Sequence, residues 1–159
     1  MNTPRLIRPE DGRVEPGPDQ VTDRFLIDGS DTGERFSLVQ HLFAPRALAA
    51  PMHRHRLEDE YSYVVTGRIG AVIEGVEVFA EPGDLLFKPR NEWHTFWNGG
   101  DEPASVLELI SPAGLEQFFR WLAELDEEPT PELLAEKAAP YQCDVDMEAT
   151  AALMQRLGG

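Results

Sequence analysis

Three of the four histidines in this chain, together with one glutamate, have the spacing of a metal-binding site. His53 and His55 are two residues apart, Glu60 follows five residues later, and His94 lies in a separate segment. Alternate residues of a strand point to the same face, so the closely spaced imidazoles can project to one side. Three imidazoles and one carboxylate suit a first-row divalent metal ion. The competing interpretation is a solvated basic rim that the histidine pair forms with the arginines beside it.

A metal held by these four residues would keep positive charge and, if six-coordinate, two open positions for water, a substrate oxygen or dioxygen. The predicted cofactor is one divalent transition metal, and Fe, Mn, Ni, Co, Cu and Zn all accept such ligands. Closed structural zinc sites depend on cysteine, and the chain has only Cys143. Glu60 has two possible roles, metal ligand or catalytic general base, and the sequence leaves both open.

The elements that must position these side chains are short strands. Strand-like segments separated by turn residues are predicted over 24–28, 35–43, 61–66, 69–74, 76–80, 85–88, 93–97 and 104–110. Glu74-Gly75 lies between two β-branched runs and predicts a tight hairpin. Many short strands at close spacing indicate an all-β sandwich or barrel.

Beyond Ser111 the apolar residues recur at helical spacing. Ser111-Pro112 and Thr130-Pro131 each have the pattern of a helix N-cap followed by proline. The predicted apolar face of the last helix consists of Met147, Ala151, Met154 and Leu157. These helices either form a lid over the mouth of a barrel or pack against the outside of a sheet, and we favour the second arrangement.

The residues around the candidate ligands resemble the two motifs of the cupin family. The first motif is matched by His53, His55, Glu60 and Gly67. The second is matched by Gly83, Pro89, His94 and Asn98. Ala47 stands where the first motif usually has a leading glycine, and Asn91 replaces the glycine after the proline. Asparagine tolerates a positive φ better than other non-glycine residues, so we expect Asn91 to keep a left-handed turn.

The resemblance implies an all-β cupin jelly-roll, a double-stranded β-helix barrel with the metal inside one end and short C-terminal helices. More narrowly, the chain is similar to small single-domain bacterial cupins with a helical C-terminal extension. On this frame residues 1–22 form an irregular N-terminal arm, 23–111 the barrel, and 112–159 an acidic helical extension. The resemblance also implies a homodimer, for which Tyr61, Tyr63 and Trp97 offer an outward apolar patch.

Strand alternation also predicts the residues of a substrate pocket. Counted from the inward-facing ligands, the pocket candidates are Phe36, Leu38, Ser62 and Phe96. The alternative for each of them is an ordinary core position. His41 has the opposite parity in its strand and is predicted to be a satisfied, half-buried histidine. Glu58 and Asp59 are expected to be solvated or to pair with Arg54 or Arg56.

The composition restricts the possible partners. The 159 residues are enough for one domain with a sizeable core, and 42% hydrophobic and 27% charged residues are typical of soluble globular proteins. A net charge of −15 argues against nucleic acid and anionic membrane surfaces, because binding phosphates requires a positive surface. The sequence shows neither a signal-peptide pattern nor a membrane-spanning apolar run. We therefore expect a cytoplasmic protein with a small-molecule substrate.

Among functions, we favour a metal-dependent enzyme that acts on a small organic molecule, specifically a dioxygenase similar to the quercetinase-like cupins. The first alternative is a metal-dependent isomerase, epimerase or lyase on the same centre. The second is a cupin that binds a metal or small ligand without catalysis. Fold alone does not choose among them, because cupins support many unrelated functions.

Overall fold

The computed structural model describes residues 4–12 and 20–158, and these residues form two antiparallel sheets of five strands each. The strands are β1 (Val21–Ile27), β2 (Ser37–Phe43), β3 (Met52–His55), β4 (Asp59–Thr66), β5 (Ile69–Ile73), β6 (Val76–Ala80), β7 (Leu85–Lys88), β8 (His94–Asn98), β9 (Ala104–Ser111) and β10 (Cys143–Asp146). The strand order is β1-β2-β9-β4-β7 in sheet A and β10-β3-β8-β5-β6 in sheet B. This arrangement confirms the predicted cupin jelly-roll.

The predicted hairpin at Glu74-Gly75 is present between β5 and β6. Ile73 pairs with Val76 across a two-residue turn, and both turn residues have positive φ, 48° at Glu74 and 76° at Gly75. Two positive φ angles match the twist of the flanking strands, which is why glycine is favoured in such turns.

The inward faces of the two sheets enclose the core. It includes Val64, Ile69, Ala71, Phe96 and Val106, all buried. Residues of opposite parity on sheet A lie on its outer face instead. This alternation divides the barrel interior, which holds the candidate ligands, from the exterior.

Four α-helices accompany the strands in the described part of the chain: α1 (Gly29–Thr32), α2 (Glu116–Ala123), α3 (Pro131–Ala138) and α4 (Met147–Leu157). A short 3-10 helix, Ala139–Tyr141, follows α3 directly. Thr130 caps α3 as predicted, since its side chain accepts a hydrogen bond from the backbone N–H of Leu133. The predicted cap at Ser111-Pro112 is wrong. Ser111 ends β9, and α2 begins five residues later at Glu116.

The C-terminal helices occupy two different places. Helices α2 and α3 pack against residues of sheet A that face inward, namely Val39 and Ile110. The contacts come from Leu115 and Phe118 at the start of α2 and from Leu134 of α3. These two helices therefore cover interior-facing residues, contrary to the arrangement that we favoured. Helix α4 does pack on an outer face, where its Leu153 contacts a cluster that contains Val72 and Trp97 of sheet B.

Helix α4 presents a different face to the sheet from the one that the apolar spacing predicts. Thr150 and Leu153 are its buried residues, whereas Met147, Met154 and Leu157 are exposed. The same contact corrects the prediction for Trp97, which is only 3% exposed and cannot form part of an outward patch. An apolar stripe shows that a helix can pack, but the partner surface decides which side does so.

The N-terminal arm falls partly outside the described residues. Within residues 4–12, Arg5 binds Asp31 through an ion pair, and the carbonyl of Gly12 accepts a hydrogen bond from the backbone N–H of Phe25. Across the described residues, the helices are all too short or too polar to cross a bilayer.

Candidate metal centre

The four predicted ligands converge inside the barrel. His53 and His55 lie on β3, Glu60 on β4 and His94 on β8, and each of them is at most 7% exposed. One ligand atom from each residue lies within 4.8 Å of all the others. Strand β3 pairs with β8 at His53 and His94, which brings histidines from two distant segments together. The predicted constellation is therefore a single cluster.

Backbone carbonyls orient two of the imidazoles. The Nδ1 atom of His53 lies 2.7 Å from the carbonyl oxygen of Pro51, and that of His94 lies 3.0 Å from the carbonyl oxygen of Glu92. A carbonyl can only accept, so Nδ1 carries a proton in both rings, and Nε2 is the nitrogen that would face a metal. A hydrogen bond from Nδ1 to a backbone carbonyl fixes the tautomer in which Nε2 ligates a metal.

The third imidazole lacks such a partner. Among the described residues neither ring nitrogen of His55 makes a hydrogen bond, although the side chain is 2% exposed. Its Nε2 atom lies 3.3 Å from Oε1 of Glu60, and its Nδ1 atom lies 4.0 Å from Oε2 of Glu58. Buried polar atoms without partners are rare, and a bound ion is one arrangement that satisfies them. A metal among the four residues fits the arrangement, because it would satisfy His55 Nε2.

Glu58 lies next to this site, contrary to the expectation that it is solvated. It is 4% exposed, and burial raises the pKa of its carboxyl group. Glu58 lies just before β4 and two residues before Glu60, so its side chain points to the same side as that of Glu60. This spacing could have identified Glu58 as a neighbour of the site. Asp59, of opposite parity, pairs with Arg90 at 2.6 Å. A carboxylate behind a ligating imidazole frequently orients the ring by accepting a hydrogen bond from its outer nitrogen.

The charges of the cluster are strongly coupled. Burial is the largest single influence on the pKa of His55 and lowers it, but the charge of Glu60 and the further contacts with Glu60 and Cys143 together raise that pKa to about 10. Burial and the neighbouring His94 and His55 hold the pKa of His53 well below its usual value. For Glu60, burial is outweighed by the charges of Lys88 and His55, which lower its pKa well below the usual range. The metal-free cluster thus pairs a glutamate anion with a protonated His55.

A buried lysine that the sequence analysis missed lies directly behind Glu60. Strand β7 places Lys88 opposite Glu60, and the Lys88 Nζ atom lies 3.0 Å from Glu60 Oε2. The same atom lies 2.7 Å from Oε1 of Glu108, whose other carboxylate oxygen accepts a hydrogen bond from the Ser62 hydroxyl group. Lys88 directly precedes the motif proline, but only strand pairing reveals its partners.

The predicted pocket residues divide into two groups. Ser62 and Phe96 face the interior as predicted, and both are buried. The prediction for Leu38 is wrong, because it lines a groove on the outer face of sheet A together with Tyr61 and Tyr63. Phe36 precedes β2 and is half-buried, and its backbone N–H donates a hydrogen bond to the Thr32 hydroxyl group. The inward residues of β2 are those of the opposite parity.

His41 belongs to this inward set. Its Nδ1 atom lies 2.7 Å from Oδ1 of Asp23, so the histidine is satisfied as predicted, although it is fully rather than half buried. Its ring contacts Phe96 and, from helix α2, Phe119. Burial would lower the pKa of His41, but the charge of Asp23 and the hydrogen bond to it raise that pKa. The result is a buried histidine–carboxylate dyad in the barrel interior.

The residue that departs from the second motif also contributes to the site. Asn91 has φ 69°, which confirms the predicted left-handed turn. Its backbone N–H donates a hydrogen bond to the carbonyl of His55 at 2.6 Å. The turn after Pro89 therefore holds the end of the strand that carries two ligands.

Comparison with known proteins agrees with this geometry. A family profile described as "Cupin domain" matches residues 40–110. The tetracenomycin polyketide synthase protein TcmJ of Streptomyces glaucescens is 30% identical over 108 residues, which cover 68% of this chain and 70% of TcmJ. The oxidoreductase iacF of Pestalotiopsis fici is 41% identical over 64 residues, covering 40% of this chain and 30% of that protein.

A solved structure supports the same relationship. The polyketide cyclase RemF from Streptomyces resistomycificus superposes with a TM-score of 0.58 at 32% sequence identity, covering 69% of this chain and 79% of RemF. Three findings lead to one conclusion: the match to TcmJ over most of its length, the two-sheet jelly-roll and the ligand cluster. The chain belongs to the cupin family.

Proposed function

We propose that this protein is a metal-dependent enzyme that catalyses a non-oxidative rearrangement, a ring closure or an isomerisation, of a small molecule rich in carbonyl and hydroxyl oxygens. One observation carries the proposal: the three-histidine, one-glutamate cluster shares the barrel interior with the Asp23–His41 dyad. The first group suits a Lewis-acid metal, and the second suits proton transfer. Such a pairing serves chemistry at the carbon beside a carbonyl group.

The similar proteins support this class of reaction. RemF is named a polyketide cyclase and TcmJ a polyketide synthase protein, and each is at least 30% identical to this chain. We therefore favour a substrate with several oxygen functions on one carbon chain. This preference replaces the quercetinase-like dioxygenase as the first candidate.

The proposed chemistry divides the work between the two groups. When bound, the metal supplies a Lewis acid that polarises a substrate carbonyl group. Asp23 accepts a hydrogen bond from the Nδ1–H group of His41, which leaves Nε2 as the nitrogen that takes a proton from the carbon next to that carbonyl. The C–H electron pair stays on the substrate as an enolate, and His41 later returns the proton. Phe96 and Phe119 pack against the imidazole ring and limit its movement.

The dioxygenase remains the second candidate, and one observation favours it. The segment shared with iacF is 41% identical over 64 residues, and that protein is named an oxidoreductase. Open metal positions could bind dioxygen beside a chelating substrate. The two candidates differ in their need for oxygen, which makes them separable by experiment.

The test is deuterium exchange into a small hydroxyketone such as dihydroxyacetone, followed by NMR with and without dioxygen, on protein of measured metal content. We expect exchange that does not depend on dioxygen. His94→Ala should lose both metal and exchange. His41→Gln should keep the metal and slow exchange by about a hundredfold, the scale of general-base catalysis.

Three outcomes would contradict the proposal. Oxygen consumption coupled to turnover, on panels of phenolic and enediol compounds, would establish the dioxygenase. A metal-loaded protein that binds such compounds without exchange or oxygen uptake would be a non-catalytic binding cupin. His41→Gln exchanging at the wild-type rate would remove the dyad from the mechanism.

A further inference from the structure

We propose that Lys88 is a positioning residue, which holds the Glu60 carboxylate in place as a metal ligand and prevents it from acting as a general base. The inference rests on the proposed metal centre and goes beyond it by assigning a role outside the ligand set. Lys88 is fully buried, and its Nζ atom lies 3.0 Å from Glu60 Oε2. Strand register requires this contact, because Lys88 and Glu60 are directly paired residues of β7 and β4.

The lysine is itself fixed from the opposite side. Its Nζ atom lies 2.7 Å from Oε1 of Glu108, which is 1% exposed, and the Ser62 hydroxyl group binds the other oxygen of that carboxylate. The Phe96 ring lies 4.0 Å from the same nitrogen. Two anions and an aromatic face therefore define one place for the ammonium group. Buried charges without such partners are strongly unfavourable, so Lys88 has no alternative position of similar energy.

This arrangement restricts what Glu60 can do. Its Oε2 atom receives Lys88 and lies 3.1 Å from His94 Nε2, while its Oε1 atom faces His55 Nε2. To take a proton from a substrate, the Glu60 carboxylate would have to move away from Lys88. The buried ammonium group would then lose one of its two anionic partners. The structure thus favours the ligand role of Glu60 over the base role. A hydrogen bond to a ligating carboxylate also sets its orientation toward the metal.

Removing Lys88 alone would leave Glu108 as an uncompensated buried charge, so the variant must remove the pair. The informative variant is Lys88→Met combined with Glu108→Gln, and its matched control is Glu108→Gln alone. Both are made in the wild-type background. In the Glu60→Gln background, where Glu108→Gln would leave Lys88 buried without an anion, the control for the double variant is Glu60→Gln alone. Zn²⁺ affinity is measured for all of them by competition with a chromophoric chelator, with thermal melts of the metal-free proteins as the folding check.

If Lys88 acts through Glu60, its removal lowers Zn²⁺ affinity by about tenfold or more relative to the control, the usual scale for second-shell partners. In the Glu60→Gln background the same removal changes affinity less than about twofold, because coupled residues are not additive. The absorption spectrum of the Co²⁺-loaded protein should shift on removal of Lys88 only where Glu60 is present. Should the methionine variant fail to fold, Lys88→Gln with Glu108→Gln carries the same test.

Equal losses of affinity in the two backgrounds would overturn the proposal, since they would show a general effect of charge or fold. An unchanged affinity in the wild-type background would overturn it as well. Failure of the wild-type protein to bind Zn²⁺ would instead overturn the metal centre, and with it both proposals. The wild-type titration therefore separates failure of the function from failure of this inference.

Discussion

At the scale of single residues, the centre is organised around the proton on His55. The Glu60 charge holds that proton even though the ring is buried, whereas His53 stays neutral. A metal can bind only a deprotonated imidazole nitrogen at the position that faces it, so binding must release protons. At neutral pH the His55 proton is the one that the metal has to displace.

We therefore predict that Zn²⁺ affinity depends on pH. His55 has a pKa of about 10 in the metal-free protein. Below that pH each binding event releases one proton, so the apparent dissociation constant should fall by about tenfold per unit as pH rises from about 6 to about 8. Competition titrations in buffers of constant ionic strength measure the slope. Glu60→Gln is the control, because removing the charge that holds the proton should flatten the dependence. A dissociation constant that does not change with pH in the wild-type protein would contradict the predicted protonation state.

The same shift has a consequence for stability with a definite sign. The folded pKa of His55 lies above its unfolded value, so the His55–Glu60 pair stabilises the metal-free protein fully below about pH 6.5. That contribution is lost as pH rises through about 10. Metal and proton thus compete for one ring nitrogen.

Residue types and their spacing identify metal ligands more readily than they identify the residues that hold those ligands in place. The spacing of His53, His55, Glu60 and His94 predicted the cluster, because few residue types bind metals and the strand period is fixed. Lys88 and Glu108 escaped prediction, because their roles depend on which strands are neighbours. That information comes from the pairing of β4 with β7 and β9, which no local pattern contains.

At the scale of elements, the existence of β2 was predictable from the sequence, but which of its two faces points into the barrel was not. Val39, His41 and Phe43 face inward, while Leu38 lies on the outer face. Both faces of this strand carry large apolar side chains, so alternation alone gives no way to choose between them. Strand β10 also escaped prediction, because its four residues lie within a stretch of helical composition. It pairs with β3 through four residues and sets Cys143 opposite His55.

We predict that β10 is needed for the metal centre. Within the part of the chain that the structure describes, β3 pairs with β8 at one position, His53 with His94, and with β10 at four. A chain ended after Gln142 should lose about tenfold or more in Zn²⁺ affinity, since loosely held ligands bind metals weakly. The matched control ends after Asp146, which keeps β10 but removes α4, and should retain more of the affinity. Chelator competition measures both, and equal affinities in the two truncated chains would show that β10 itself is dispensable.

At the scale of the whole molecule, the outer face of sheet A is unusual for a chain with a net charge of −15. An antiparallel sheet normally turns polar side chains to water. Here the outer groove is lined by Leu38, Tyr61, Tyr63, Leu85, Leu107 and Leu109. Tyr63, Leu85 and Phe87 are each about half exposed, at 46%, 57% and 49%. A contiguous apolar face of this kind marks an interaction site.

We propose that a second copy of the chain covers this face, as the expected homodimer requires. Two copies that share so much negative charge can approach most closely through a surface without charges, and a twofold axis would place the same residues of both copies together. Leu85→Glu should then place like charges opposite each other and raise the dimer dissociation constant by about tenfold or more. The control is Val76→Glu, at a 62% exposed apolar position on sheet B, which should leave the assembly unchanged. Light scattering across a range of concentrations measures both. A wild-type mass of one chain at high micromolar concentration would exclude the dimer, and equal weakening by the two variants would place the interface elsewhere.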